Sequence, residues 1–261
     1  MFNSWLQIQQ RDPSPSTKFQ VNDFIEHGDK NDESIKSDLK QIFIQSSVNL
    51  DLLKSLTKKY GWDKSYELFV ASGQPSNRNM AKGRFGEILL VGVLKEFFDY
   101  IIPIHKLQYT ITKNQSLPST DILAIKATSE ISEMCFVESK LRTVDDINAP
   151  VIAYQQLMED QTYEIPDIIK FAMNRLADKN DPLVNAFILY LLEPIDVTIK
   201  KDVFRIGAIY EKEKWNEKSF EKLDKEITGS KRIYVDLLKI EGLQSFVENI
   251  YQYLGVTLDG K

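Results

Sequence analysis

The sequence predicts an α/β fold. Three observations carry that prediction. The chain has 261 residues, 43% of them hydrophobic, enough to bury a substantial core. A long stretch at helical spacing, about 77–99, is followed by three short segments rich in β-branched and aromatic residues. A further helix and strand come after these, and such alternation is what layered α/β domains are built from.

Taken in order, residues 1–74 form an expected, mainly helical N-terminal region. Segments 12–16 and 28–33 read as turns, being rich in Gly, Pro, Ser, Asn and Asp. Leu39, Ile42, Phe43, Leu50, Leu53 and Leu56 recur at helical spacing, predicting one amphipathic helix or a pair of shorter ones within 35–60. The 77–99 helix is apolar on nearly every face from Ile88 to Leu94, so its body belongs in the core. Arg78, Lys82, Arg84 and Glu87 charge its first half, and a helix of this kind delivers its polar end to a cleft or rim. Strands are expected at 101–109, 121–126 and 134–140, a helix at 149–158, and strands at 185–192 and 203–210. Residues 211–226 alternate Lys with Glu and read as a solvated helix. A strand at 233–237 and a helix at 243–254 follow. The expected organisation is an N-terminal region 1–74, a core 75–210 and a C-terminal helix and strand extension 211–261 packed on that core.

Composition excludes several chemistries. Thirty-three Lys and Arg against 38 Asp and Glu leave a formal charge of -5, which argues against a protein that coats nucleic acid by bulk electrostatics but leaves a local basic groove open. With only His27 and His105, no three-histidine zinc site can form, and a lone Cys135 permits no intrachain disulfide. Cys135 lies in the apolar run Met134-Cys135-Phe136-Val137 and reads as a core residue. The first eleven residues have no basic segment leading into an apolar one, and no run reaches the roughly 18 apolar residues of a membrane span. The expectation is a cytoplasmic protein.

Two motifs need separating from chance. Gly255-Val256-Thr257-Leu258-Asp259-Gly260-Lys261 satisfies a phosphate-loop pattern, but that loop works between a strand and a helix, and here a helix precedes it. The acidic-x-Lys triplet occurs at Asp38-Leu39-Lys40, Glu138-Ser139-Lys140 and Asp259-Gly260-Lys261, and about three occurrences are expected by chance. Context favours the second. Period-two alternation sends Glu138 and Lys140 to one face of a strand and Ser139 to the other. Asp121 opens the preceding strand, and a hairpin between the two can set it opposite Glu138 across the ladder. Adjacent carboxylates raise one another's pKa and call for a cation. Glu87 adds a third acid from the polar end of the buried helix. Oxygen ligands without histidine point to magnesium or manganese, and Lys140 beside such an ion could orient or deprotonate a water or stabilise a pentacovalent phosphate. Each carboxylate alone reads as a surface ion-pair member; in the order helix-Glu, strand-Asp, strand-Glu-x-Lys they read together as a site.

At these residues the sequence resembles the PD-(D/E)xK, or restriction-endonuclease-like, nucleases, and more narrowly the HamA-type nuclease subunit of the Hachiman anti-phage defence system. The matching segments are Gly83-Arg84-Phe85-Gly86-Glu87, Ser119-Thr120-Asp121 and Val137-Glu138-Ser139-Lys140. The resemblance implies an αβββαβ core and a Mg²⁺-dependent (alternatively Mn²⁺-dependent) DNA nuclease. It implies a heterodimer with a HamB-like superfamily 2 helicase that controls activity on DNA. Asp121, Glu138 and Glu87 would be metal ligands and Lys140 the catalytic lysine. The alternative is an inactive nuclease-fold scaffold that regulates the helicase. Thr120 stands where the superfamily has Pro before the Asp, and the Gln-x-x-x-Tyr motif of some relatives is absent at Gln155 and Gln156. Arg78, Lys82, Arg84 and Arg142 are candidate phosphate contacts or solvated residues, and Trp5, Trp62 and Trp215 read as packing residues.

Overall fold

The computed structural model describes residues 2–11, 18–110, 112–113, 120–161, 165–194, 197–198 and 201–259. The expected turn at 12–16, the residues 117–119 before Thr120, and the last two residues of the terminal glycine pattern lie outside them.

A mixed six-stranded sheet runs through the chain in the order β1-β2-β6-β5-β4-β3. Its strands are β1 (Leu6–Arg11), β2 (Gln20–Glu26), β3 (Ile122–Ala127), β4 (Ile131–Arg142), β5 (Asp202–Glu211) and β6 (Arg232–Ile240). Strands β4, β5 and β6 are mutually parallel, β2 continues the parallel set, and the outer pairs β1·β2 and β3·β4 are antiparallel. A parallel centre must be covered on both faces. Helices α1 (Glu33–Ser47), α4 (Arg78–Phe98) and α9 (Leu243–Tyr253) cover one face, packing on Cys135, Val137, Val203 and Ile209. Helices α5 (Ala149–Asp160), α6 (Asp167–Asp178), α7 (Leu183–Leu192) and α8 (Lys218–Glu226) cover the other, packing on Met134, Phe136, Phe204 and Ala208. Alternate residues of β4 thus enter opposite cores. α2 (Leu50–Tyr60) and α3 (Trp62–Tyr66) follow α1 beside a small satellite cluster of Ile44, Val48, Leu53 and Val70.

Helix α4 fixes the geometry. Asn77 caps it, its side chain accepting from the Asn79 and Met80 amides as N-caps do, and Asp99 ends it with φ 55. Two glycines let the helix lie directly on the sheet. A Cβ on Gly86 would fall 2.7 Å from Ser139 Oγ, and one on Gly207 of β5 would fall 2.0 Å from Leu90 Cδ1. Gly86 therefore sets Glu87 against the Glu138-Ser139-Lys140 end of β4.

The structure corrects four expectations. Residues 101–109 are not a strand: Ile101 makes a single antiparallel bridge to Ile125, and a 3₁₀ turn occupies Lys106–Tyr109. Pro103 has no amide to continue the ladder. Residues 185–192 are helical, within α7, with Ala186, Phe187 and Tyr190 buried. That spacing is helical, and Pro182 before the first turn is a helix-start signal. The mainly helical N-terminal region opens with two strands, β1 and β2, the second paired to β6. Finally, 211–226 is not one helix: β5 runs on to Glu211, a 3₁₀ turn occupies Lys212–Lys214, and the α-helix begins at Lys218.

Candidate active site

The open end of the sheet carries an open cleft of about 770 Å³ whose lining includes Lys82, Glu87, Asp121, Glu138, Lys140 and Gln156. It lies toward the carboxyl ends of parallel strands, where α/β sheets commonly bind ligands. Ile122 pairs with Val137 in the β3·β4 ladder, so one further step of that register sets Asp121 across from Glu138. Asp121 Oδ2 accepts the Ser139 amide at 2.9 Å. Glu138 is 5% exposed, and its Oε1 accepts from Lys140 Nζ at 2.7 Å. Glu87 faces the same cleft from α4. The four residues singled out in sequence are thus brought to one place. Asp38-Leu39-Lys40, by contrast, lies on α1, where an acid and a lysine two positions apart do not share a face.

Charge in this corner is crowded. Burial, then the neighbouring Asp121 carboxylate, push Glu138 up to about 7 against the opposing pull of Lys140 and Lys106. Burial and then Asp121 likewise raise Glu87 well above the usual carboxylate range, with Lys106 and Arg84 opposing. Mutual repulsion of this kind is what a bound cation relieves. The donor set fits a hard divalent ion. Glu138 Oε2 and Asp121 Oδ1 make no hydrogen bond among the described residues, so each acid has an oxygen to offer. Among the described residues no group of three or more His, Cys, Asp or Glu side chains is arranged to hold a metal ion. Glu87, expected as a third ligand, thus does not join Asp121 and Glu138 in a three-acid group; the pair that could hold an ion is Asp121 and Glu138, and Mg²⁺ is commonly held by one or two carboxylates with water and substrate phosphate completing its shell.

Lys106 was missed in the sequence. It is 9% exposed, and its Nζ donates to the Thr120 carbonyl at 3.0 Å, one peptide before Asp121. No local pattern marks it, because only the return of the chain through the 3₁₀ turn brings it here. Gln156 is a cleft residue, whereas Gln155 turns away to donate to Glu226 Oε1.

The candidate phosphate contacts divide. Lys82 and Arg142 line the cleft, Lys82 donating to Thr143 Oγ1 at 3.0 Å and Arg142 to Asp146 at 2.6 Å. Arg78 instead pairs with Glu248 at 3.6 Å. Arg84 is buried and clamps the turn before α4, donating to the Gly73 carbonyl at 2.9 Å and the Lys113 carbonyl at 3.4 Å. Cys135 is a buried core thiol, and burial pushes it up to about 12. Trp5 is buried and Trp215 packs on Tyr210 and Phe220, whereas Trp62 is largely exposed.

A family model, HamA, matches residues 1–254. The chain belongs to the HamA family. The match takes in every element from β1 to α9, far beyond the 83–140 stretch on which the sequence resemblance rested. HamA membership makes this a Hachiman defence protein. No curated protein matches the chain. No helix among the described residues is long and apolar enough to cross a membrane.

Proposed function

We propose that this HamA-family chain is a divalent-metal-dependent DNA nuclease, the effector of a Hachiman complex whose superfamily 2 helicase partner holds the DNA and controls cleavage. The observation that carries the reading is the convergence of Asp121, Glu138 and Lys140 at one cleft, with Asp121 in register opposite Glu138. A Mg²⁺ ion held by Asp121 and Glu138 would supply Lewis-acid stabilisation of phosphoryl charge and acidify a water. The protein's own groups do the rest. Ser139's amide fixes the Asp121 carboxylate. Lys140 Nζ, held by Glu138, is positioned to orient or deprotonate the attacking water, or to meet charge on the pentacovalent phosphate, once Glu138 turns to the ion. Lys82 and Arg142 on the rim supply donors for flanking phosphates.

A net charge of -5 favours the subunit reading, since a nuclease acting alone gains from attracting its polyanionic substrate. The test is cleavage of linear and supercoiled DNA by the full chain with its partner, in Mg²⁺ and in EDTA. Cleavage should require the metal and vanish in the double variant Glu138→Ala, Lys140→Ala, with complex formation intact. Undiminished cleavage by that variant refutes the site. Protection against phage by the double variant favours the scaffold alternative.

A further inference from the structure

Glu87 and Asp121 also line a second, smaller space, together with Lys106 and apolar residues of α4 and of 102–107. Two acids facing one gap is the arrangement in which two-metal nucleases hold their second ion, roughly 3.5–4 Å from the first. Here the gap encloses only about 20 Å³. A single water needs about 10–15 Å³, and Mg²⁺ keeps several waters in a near-octahedral shell at about 2.0–2.1 Å. Beside the Lys106 side chain this leaves little room for a hydrated second ion.

A charge is nevertheless present. Lys106 is buried beside the same two acids and tied by its Nζ to the Thr120 carbonyl. We propose that the Lys106 ammonium stands in place of a second metal ion, holding Glu87 and Asp121 together so that the site takes one divalent ion, between Asp121 and Glu138. Lys106 is on this view a positioning residue: it does not touch substrate, and it anchors the backbone that carries Asp121. The inference rests on the nuclease reading for its first ion and goes beyond it in fixing the number of ions and what replaces the other.

The test is calorimetric titration of the full-length chain with Mn²⁺ alone, counting ions per chain, with melting curves to establish that each variant is folded. Wild type should bind one ion. Lys106→Gln, which is uncharged and one atom shorter and so removes the charge and opens the gap, should bind two, and Lys106→Arg, which keeps the charge, should bind one. Two ions on wild type overturn the inference while leaving the nuclease reading intact, as does a Gln variant that is folded and still binds one. If the Gln variant does not fold, the counts on wild type and the Arg variant decide, two ions on either overturning the inference. No Mn²⁺ bound by wild type removes the metal site itself, and the inference with it.

Discussion

Glu138 should be a residue whose loss makes the metal-free protein more stable. Its pKa, raised from 4.5 to about 7 by burial and Asp121, means that the folded chain binds this proton more tightly than the unfolded chain. Stability from this group is therefore fully present below about pH 4.5 and declines as pH rises through 7. The rise corresponds to roughly 3 kcal/mol, and little of it is screened because the side chain is 5% exposed. Glu138→Gln removes that cost, and the value of about 7 already includes the opposing 2.7 Å contact from Lys140. The net expectation at pH 8 in EDTA is a gain of about 3 kcal/mol, or roughly 6–12 °C in Tm for a chain of this size. Melting wild type and Glu138→Gln at pH 5 and pH 8, with EDTA and with Mn²⁺, checks it. The advantage of the variant should shrink at pH 5 and reverse in Mn²⁺, which only wild type binds well. A variant less stable than wild type at pH 8 in EDTA would refute the electrostatic reasoning.

Other consequences follow from the same geometry. Asp121→Ala should abolish cleavage and, by leaving the Ser139 amide without its acceptor, lower stability by about 1–3 kcal/mol, measurable by urea unfolding. Gly207→Ala puts a Cβ 2.0 Å from Leu90 Cδ1 and should cost about 1–3 kcal/mol of overpacking; a neutral result would show that α4 can slide on the sheet. Arg84→Met should destabilise by roughly 2–4 kcal/mol, because the carbonyls of Gly73 and Lys113 lose a charged donor, with a loss in melting temperature that added Mn²⁺ does not restore.

Much of the layout is legible in sequence where the signal is local. Helix α4 was expected at 77–99 and is found at Arg78–Phe98, since a long apolar body and an Asn cap leave little choice. β4 and β5 follow from their β-branched runs, and the alternation in β4 puts Glu138 and Lys140 on one face. What stayed hidden depends on partners distant in the chain. β2 contains Asn22 and Asp23, poor strand formers, yet Asn22 donates to Asp236 while Lys239 and Arg11 pair with Asp23. Those charges come from β1 and β6, and nothing near residue 22 announces them. Lys106 is hidden for the same reason, its significance set by the distant Thr120 carbonyl to which it donates. α7 failed on period: Phe187, Ile188, Leu189, Tyr190 and Leu191 form a short apolar run that fits a buried strand as well as a helix.

The central claim is that Asp121 and Glu138 share one divalent ion. Anomalous diffraction from crystals of the full chain grown in Mn²⁺ tests it most directly. The account predicts one strong peak at about 2.0–2.2 Å from a carboxylate oxygen of each residue, with Lys140 Nζ released from Glu138 and facing the cleft. A peak bound to neither carboxylate, or none at saturating Mn²⁺, would contradict it.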